Sequence, residues 1–283
     1  MSDKVFISVA LTGANSDPKF KNVPVTPEEI AKDAVACAQA GASVLHIHTR
    51  NPQKTYQACD DFAVWQATYE AVKDACIKAG VQPIINFTTA NAPLSDIPTR
   101  LAAVKAFKPE LCSMDSGSLN WGKAGVWANS PEFLDKLSDL CLELDVRPEI
   151  ELMDTSMLLN AKALIKEGKI KTPAYFQIVL GTAAGLDGSI REVEWLRSQL
   201  PEGSLWSITG IGKNHMRCML AGLAADADGI RVGLEDNVYL TKGVEATNVQ
   251  LVQRAADMIR LTGKQVATVE ETRQILGLKR TCW

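Results

Sequence analysis

The chain has 283 residues, enough for one large domain or two small ones. Its 30 Lys and Arg face 33 Asp and Glu, a net charge of −3, which offers neither a basic stripe for a nucleic-acid backbone nor a polybasic membrane patch. Hydrophobic residues make up 46%, ample for a packed core, so a disordered or collagen-like chain is excluded.

The elements alternate from the start. Val5–Leu11 reads as a strand, and helix Pro27–Ala40 follows, with Thr26 as N-cap, Pro27 at the first helical position and Gly41 as the stop. Strand Ser43–His48 precedes helix Asp60–Ala79, and strand Pro83–Thr88 precedes helix Pro98–Phe107. The next pairs are Leu111–Asp115 with Pro131–Leu144, Arg147–Met153 with Met157–Glu167, and Tyr175–Leu180 with Ser189–Gln199. The last two are Leu205–Thr209 with Asn214–Ala225 and Gly229–Gly233 with Ala246–Leu261, and a tail helix is expected at Val269–Leu276. Eight strand–helix units of about 35 residues each predict a (β/α)8 TIM barrel, with 1–283 as a single domain. The rival is a doubly wound sheet. Against it, no GxGxxG follows the first strand and no Walker A motif is present.

The seven cysteines are odd in number and form no CxxC pair, so neither a disulfide framework nor a Cys-based zinc site is expected. They read as small buried residues. The opening MSDKVFISVALTG lacks the pattern of a signal peptide, and no apolar run reaches the length of a membrane span. A soluble cytoplasmic protein is the expectation, with no membrane or nucleic-acid partner.

Residues two apart on a strand share a face, and in a TIM barrel the inward face near the strand C-termini builds the site. Polar residues of one parity stand there on six strands: His46 and His48, Asn86 and Thr88, Ser113 and Asp115, Glu149 and Glu151, Ser207 and Thr209, and Arg231. Such groups need a ligand, water or one another.

His46-Ile47-His48 aims two imidazoles at one point. With Glu235, just past the eighth strand, they make a set of two histidines and one carboxylate suited to zinc with an open position, or to non-haem iron. The alternative is a hydrogen-bonded pair without metal. Arg231 is expected to point inward near Asp236 and Glu151. There it either orients a general base or forms a structural ion pair at the rim. Gly210-Ile211-Gly212-Lys213 follows the seventh strand, where barrels often bind phosphate, and a plain tight turn is the other reading. Trp121 either lines a pocket or packs, and His215 is placed in the first turn of the seventh helix without a metal role.

These residues resemble the β-keto acid cleavage enzymes, typified by the 3-keto-5-aminohexanoate cleavage enzyme. The resemblance rests on Leu11–Ala14, Pro24–Ile30, Ala40–Ala42, His46–Arg50, Ser116–Gly122, Pro148–Glu151, Gly210–Gly212 and Arg231–Asn237, in order over nearly the whole chain. It implies a zinc-binding TIM barrel, usually a homo-oligomer (dimer or tetramer). It also implies transfer of an acyl group from a β-keto acid to CoA, with acetyl-CoA as co-substrate and acetoacetate as product. By resemblance His46, His48 and Glu235 hold the metal, Asp236 is the base supported by Arg231 and Glu151, and Thr88 and Ser113 contact substrate. Where the founding member has an acidic residue after Thr-Gly-Ala, meeting the substrate's amino group, this chain has Asn15. An amide cannot pair with an ammonium, and Asp115 is the candidate replacement charge, for a cationic keto acid such as 3-dehydrocarnitine or for a neutral one. Gly210, Gly212 and Lys213 are the candidate CoA contacts. A metal-dependent aldolase-type lyase or hydrolase on the same barrel, needing no CoA, is the competing expectation.

Overall fold

A computed structural model describes residues 3–283 apart from 15, 16, 18, 52, 54–56, 93, 94, 122, 124 and 280. The eight strands are β1 (Lys4–Ala10), β2 (Val44–Ile47), β3 (Ile84–Phe87), β4 (Leu111–Asp115), β5 (Arg147–Leu152), β6 (Tyr175–Leu180), β7 (Leu205–Gly210) and β8 (Gly229–Val232). Each pairs in parallel with the next, and β8 pairs with β1, so the sheet closes. The helices between and after them are α1 (Pro27–Ala40), α2 (Phe62–Ala79), α3 (Ile97–Phe107), α4 (Pro131–Leu144), α5 (Thr155–Lys166), α6 (Ile190–Gln199), α7 (His215–Ala224), α8 (Asn248–Leu261) and α9 (Val269–Ile275). This is the TIM barrel that the alternation predicts.

The boundaries follow local chemistry. α1 runs over the expected residues, with Thr26 and Glu29 closing a capping box and Gly41 leaving at φ 115°. α8 starts two residues later than expected, because Thr247 and Gln250 form the capping box there. α5 starts two residues earlier than expected, since Asp154 accepts from Ser156 N–H and caps it. Two short rim hairpins escaped the sequence reading: Leu119–Asn120 with Val126–Trp127, and Tyr239–Thr241 with Val244–Glu245. Their pairing depends on loops folding back on themselves, not on hydrophobic alternation.

The main apolar core lies between the sheet and the helices. Inside the barrel, the bottom is a separate apolar plug of Phe6, Val44, Ile84, Leu111 and Tyr175, closed from below by Leu276 beyond α9. Above it the inward side chains turn polar. Phe6 and Tyr175 meet edge-on, with ring centroids 5.8 Å apart.

His215 opens α7, as expected, and is buried. Its Nδ1 lies 3.4 Å from Nη2 of Arg254 on α8, whose Nη1 donates to the Leu240 carbonyl in the second hairpin. Burial, helped by the Arg254 and Arg231 charges, pushes the His215 pKa down to about 3. A histidine depressed from 6.5 costs nothing above pH 6.5, and destabilises the fold increasingly as pH falls toward 3. At pH 5 the cost is about 2 kcal/mol. Denaturant titrations of wild type and His215→Gln at pH 7.5 and 5 are expected to show the variant losing less stability on acidification, by about that amount. Equal losses would remove His215 from the acid response.

Candidate active site

The site lies at the C-terminal mouth of the barrel. His46 is on β2, His48 is one residue past its end, and Glu235 follows the turn that leaves β8. Gly233 makes that turn possible. Its φ is +140°, and a Cβ there would sit 2.0 Å from the Ala10 carbonyl oxygen of β1. Asn248, fully buried at the start of α8, holds the turn in place. Its Oδ1 accepts from Leu234 N–H at 2.8 Å, and its Nδ2 donates to the Leu11 carbonyl at 2.9 Å and to Asp33 at 2.6 Å. Gly13, at φ +68°, completes the fit, since a Cβ there would lie 2.5 Å from Cγ of Glu235.

His46, His48 and Glu235 converge. The two Nε2 atoms are 3.1 Å apart, and Glu235 Oε2 lies 3.8 Å from His46 Nε2 and 3.4 Å from His48 Nε2. Zinc bonds of about 2.0–2.1 Å in a tetrahedron space ligand atoms about 3.3–3.4 Å apart, close to these separations. The chemistry of the donors agrees. His48 Nδ1–H donates to Asn91 Oδ1 at 3.0 Å, which leaves a lone pair on its Nε2. Glu235 Oε1 accepts from Arg231 at 2.7 Å, and Oε2, aimed at the imidazoles, has no hydrogen-bond donor among the described residues. Burial pushes the His46 pKa well below the ordinary value, favouring the neutral ring. The two Nε2 atoms are also within hydrogen-bond distance of each other, and together with Glu235 Oε2 they are the atom types that a divalent cation takes. A second cluster, His46 with Glu149 and Glu151, is also close enough to surround a metal. There both Glu149 oxygens already accept, from Asn86 at 2.7 Å and Tyr175 at 2.9 Å, and Glu151 accepts from Arg231. That cluster is a hydrogen-bonded layer.

Arg231 is the hub. It holds Asp236 in a fork, with Nε to Oδ2 at 3.0 Å and Nη2 to Oδ1 at 2.9 Å. Nη1 reaches Glu151 at 3.0 Å. Thr209 adds a 3.2 Å hydrogen bond to Asp236. Burial raises the pKa of Asp236 even against the Arg231 charge, and raises that of Glu151 further. Burial also disfavours the charge on Glu235, but its carboxyl is held well below the usual range, the Arg231 guanidinium being the permanent charge beside it.

The expected wall residues on β3 and β4 are also placed. Thr88 is buried one residue past β3, and Ser113 is buried on β4. Asp115 ends β4 and accepts from Trp127 Nε1 at 3.0 Å. The partner is therefore Trp127, brought in by the first hairpin, and Trp121 is half-buried against the core. Arg100 secures this hairpin through the Ala128 carbonyl at 2.9 Å and Asn129 at 2.6 Å, with its guanidinium 5.5 Å from the Trp127 ring. At the end of β7, Gly210 packs tightly on Asn214, and Lys213 beyond it is exposed in a single 3-10 turn. The Gly212 N–H donates to the Asp236 carbonyl at 2.9 Å, so it is already committed, and Lys213 is the group at that loop facing solvent. Asn15 lies outside the described residues.

Sequence reasoning missed Asn91, Trp127, Asn248 and Gln177. Only Gln177 carried a usable signal, since it occupies the inward parity on β6. The others sit in loops or at a helix start, where no periodicity applies.

A parallel barrel whose mouth gathers two imidazoles and a carboxylate beside a second, guanidinium-clamped carboxylate defines an enzyme site. Residues 4–278 match the family described as beta-keto acid cleavage enzyme. The chain is 33% identical to the 3-keto-5-aminohexanoate cleavage enzyme of Fusobacterium nucleatum, covering 99% of this chain and 100% of that one. It is also 33% identical to the 3-dehydrocarnitine:acetyl-CoA trimethylamine transferase of Rhizobium meliloti, covering 99% and 98%. The solved ternary complex of ObcA with a C4-CoA adduct and oxalate shares the fold, with TM-score 0.76 and 22% identity over 91% of this chain and 68% of that one. The chain belongs to the β-keto acid cleavage enzyme family and is an acyl-transferring enzyme.

Gly13 gives the geometry a test. Gly13→Ala is expected to displace Glu235 and, if this group holds a divalent cation, to lower the affinity for added Zn2+ by roughly 10–100-fold in a chelator competition. Unchanged affinity would show that Glu235 tolerates displacement or is not a ligand.

Proposed function

We propose that this enzyme is a zinc-dependent β-keto acid cleavage enzyme. It converts a β-keto acid and acetyl-CoA to acetoacetate and the acyl-CoA of the remaining fragment, as a cytoplasmic homo-oligomer. The observation that carries the reading is Arg231, which joins the His46–His48–Glu235 set and the Asp236 carboxylate in one buried cluster.

Zinc held by His46, His48 and Glu235 would act as a Lewis acid on the keto oxygen and anchor the acid's carboxylate. Asp236, fixed by Arg231 and Thr209, removes a proton from the carbon between the two carbonyls. That carbon attacks the acetyl thioester, a carbon–carbon bond forms, and CoA leaves as thiolate. The thiolate attacks the original keto carbon. The bond between that carbon and the former carbanion centre breaks, and Asp236 returns its proton to that centre. Acetoacetate and a new acyl-CoA result, with no net proton change. Arg231 keeps the Asp236 oxygens oriented through both transfers, and Glu151 holds the guanidinium from the far side. Thr88 and Ser113 line the substrate side of the mouth, and Lys213 offers a cation to the CoA phosphates at the β7 loop.

The acyl tail is read from Asp115. Its carboxylate is buried, hydrogen-bonded by Trp127, and close enough to Glu151 for the two to interact. A cationic tail matches this wall better than an apolar one.

Purified enzyme is expected to release acetoacetate from β-keto acids only when acetyl-CoA is supplied. Acetoacetate formed without any thioester would favour the lyase instead. Asp236→Asn is expected to keep its zinc and lose turnover by roughly 10²–10⁴-fold. Normal turnover in that variant would remove the proposed base. Asp115→Asn is expected to lower kcat/KM for a cationic keto acid by about tenfold, while changing a neutral one little. Equal effects on both would assign Asp115 no part in selectivity.

A further inference from the structure

Below the proposed zinc ligands lies a chain of polar side chains that the reaction does not use. Gln177 Oε1 accepts from Ser207 at 2.5 Å, the Ser207 and Tyr175 hydroxyls are 2.7 Å apart, and Tyr175 donates to Glu149 Oε2 at 2.9 Å. Glu149 Oε1 accepts from Asn86 Nδ2 at 2.7 Å. All five residues are buried and come from β3, β5, β6 and β7. The chain ends at Asn86, which stands opposite His46 in the β2–β3 register.

The orientation of Asn86 is dictated by Glu149. Because its Nδ2 donates there, its Oδ1 is the end left over. That Oδ1 and the His46 Nδ1 are both buried without a hydrogen-bond partner among the described residues, one an acceptor and the other a nitrogen able to donate. Two buried orphans of opposite kind, on residues paired in the β2–β3 register, are each other's candidate partners. On the other imidazole the arrangement is already closed, with His48 Nδ1 on Asn91 Oδ1.

We propose that Asn86 is a positioning residue for His46, receiving its Nδ1–H so that Nε2 presents a lone pair to the cation, with Glu149, Tyr175, Ser207 and Gln177 holding Asn86 in that orientation. The inference rests on the metal role given to His46 above. It makes the barrel's middle layer a support for the metal ligand, and gives each histidine its own asparagine.

The test uses Asn86→Leu, which keeps the shape and removes both polar ends, and Tyr175→Phe, which removes one hydroxyl. Two readouts are needed: zinc affinity by chelator competition, and the tautomer of each imidazole in metal-free protein at about pH 8, read from long-range 1H–15N correlation spectra. In wild type both rings are expected as Nδ1–H. In Asn86→Leu, His46 is expected to shift toward Nε2–H while His48 stays unchanged, and zinc affinity to fall roughly 10–100-fold. In Tyr175→Phe the affinity is expected to fall about fivefold with the fold intact, and this variant decides the matter should Asn86→Leu not fold. Wild-type affinity in the variants, with His46 still Nδ1–H, would overturn the proposal. Should wild type bind no zinc, the metal reading fails, and the His46 tautomer in the metal-free protein still decides whether Asn86 sets the ring.

Discussion

Burying a guanidinium is costly unless its charge and its donors are met. Arg231 is among the largest fully buried side chains of this molecule, and it sits against three carboxylates. Two of them, Glu235 and Asp236, are consecutive residues of the turn leaving β8, and the third comes from β5 across the barrel. The guanidinium fork therefore fixes a turn as well as a charge. The proposed metal ligand and the proposed base are held in one relation because both bind the same cation. Three carboxylates against one arginine leave an excess of acidic groups, and burial itself raises the pKa of Asp236 and Glu151. That excess suits the divalent cation assigned to the neighbouring imidazoles.

The barrel interior changes character with depth. At the bottom, Phe6, Val44, Ile84 and Leu111 form an apolar plug. In the middle, Asn86, Glu149, Ser207 and Gln177 bond to one another or to Tyr175. At the mouth the side chains are charged, and solvent or ligand shares the work of solvating them. Most donors and acceptors of the polar middle pair within the barrel, Asn86 Oδ1 being left over, and the charged mouth stands on side chains held by hydrogen bonds. Small residues let the layers close. Gly233 lets the β8 turn lie against β1, and Gly13 leaves room for Glu235 beside it.

Much of this was legible in the residues. Thr26, Pro27 and Gly41 marked both ends of α1. The two-residue spacing of His46 and His48 put both rings on the inward side, although His48 proved to lie just past the strand end. Parity also placed Glu151, Asp115 and Arg231 correctly. The hairpin that carries Trp127 to Asp115 was not legible, because its two-residue strands have no hydrophobic period to read. Asn91 was equally hidden. Its role comes from a loop position that meets His48 only after β2 and β3 pair. Trp121 was weighed as the pocket aromatic, and Trp127, six residues on, is the one that reaches the carboxylate.

By itself the sequence determined the eightfold alternation, the inward parity of the polar residues and the candidate ligand set, since periodicity and spacing are local and survive without neighbours. Tertiary structure alone decided which of those groups meet. Arg231 could have faced either carboxylate or solvent until barrel closure brought β5 and β8 to one mouth. The Asn86–Glu149–Tyr175 chain likewise exists only through lateral strand register, a long-range property that no single segment of the chain encodes.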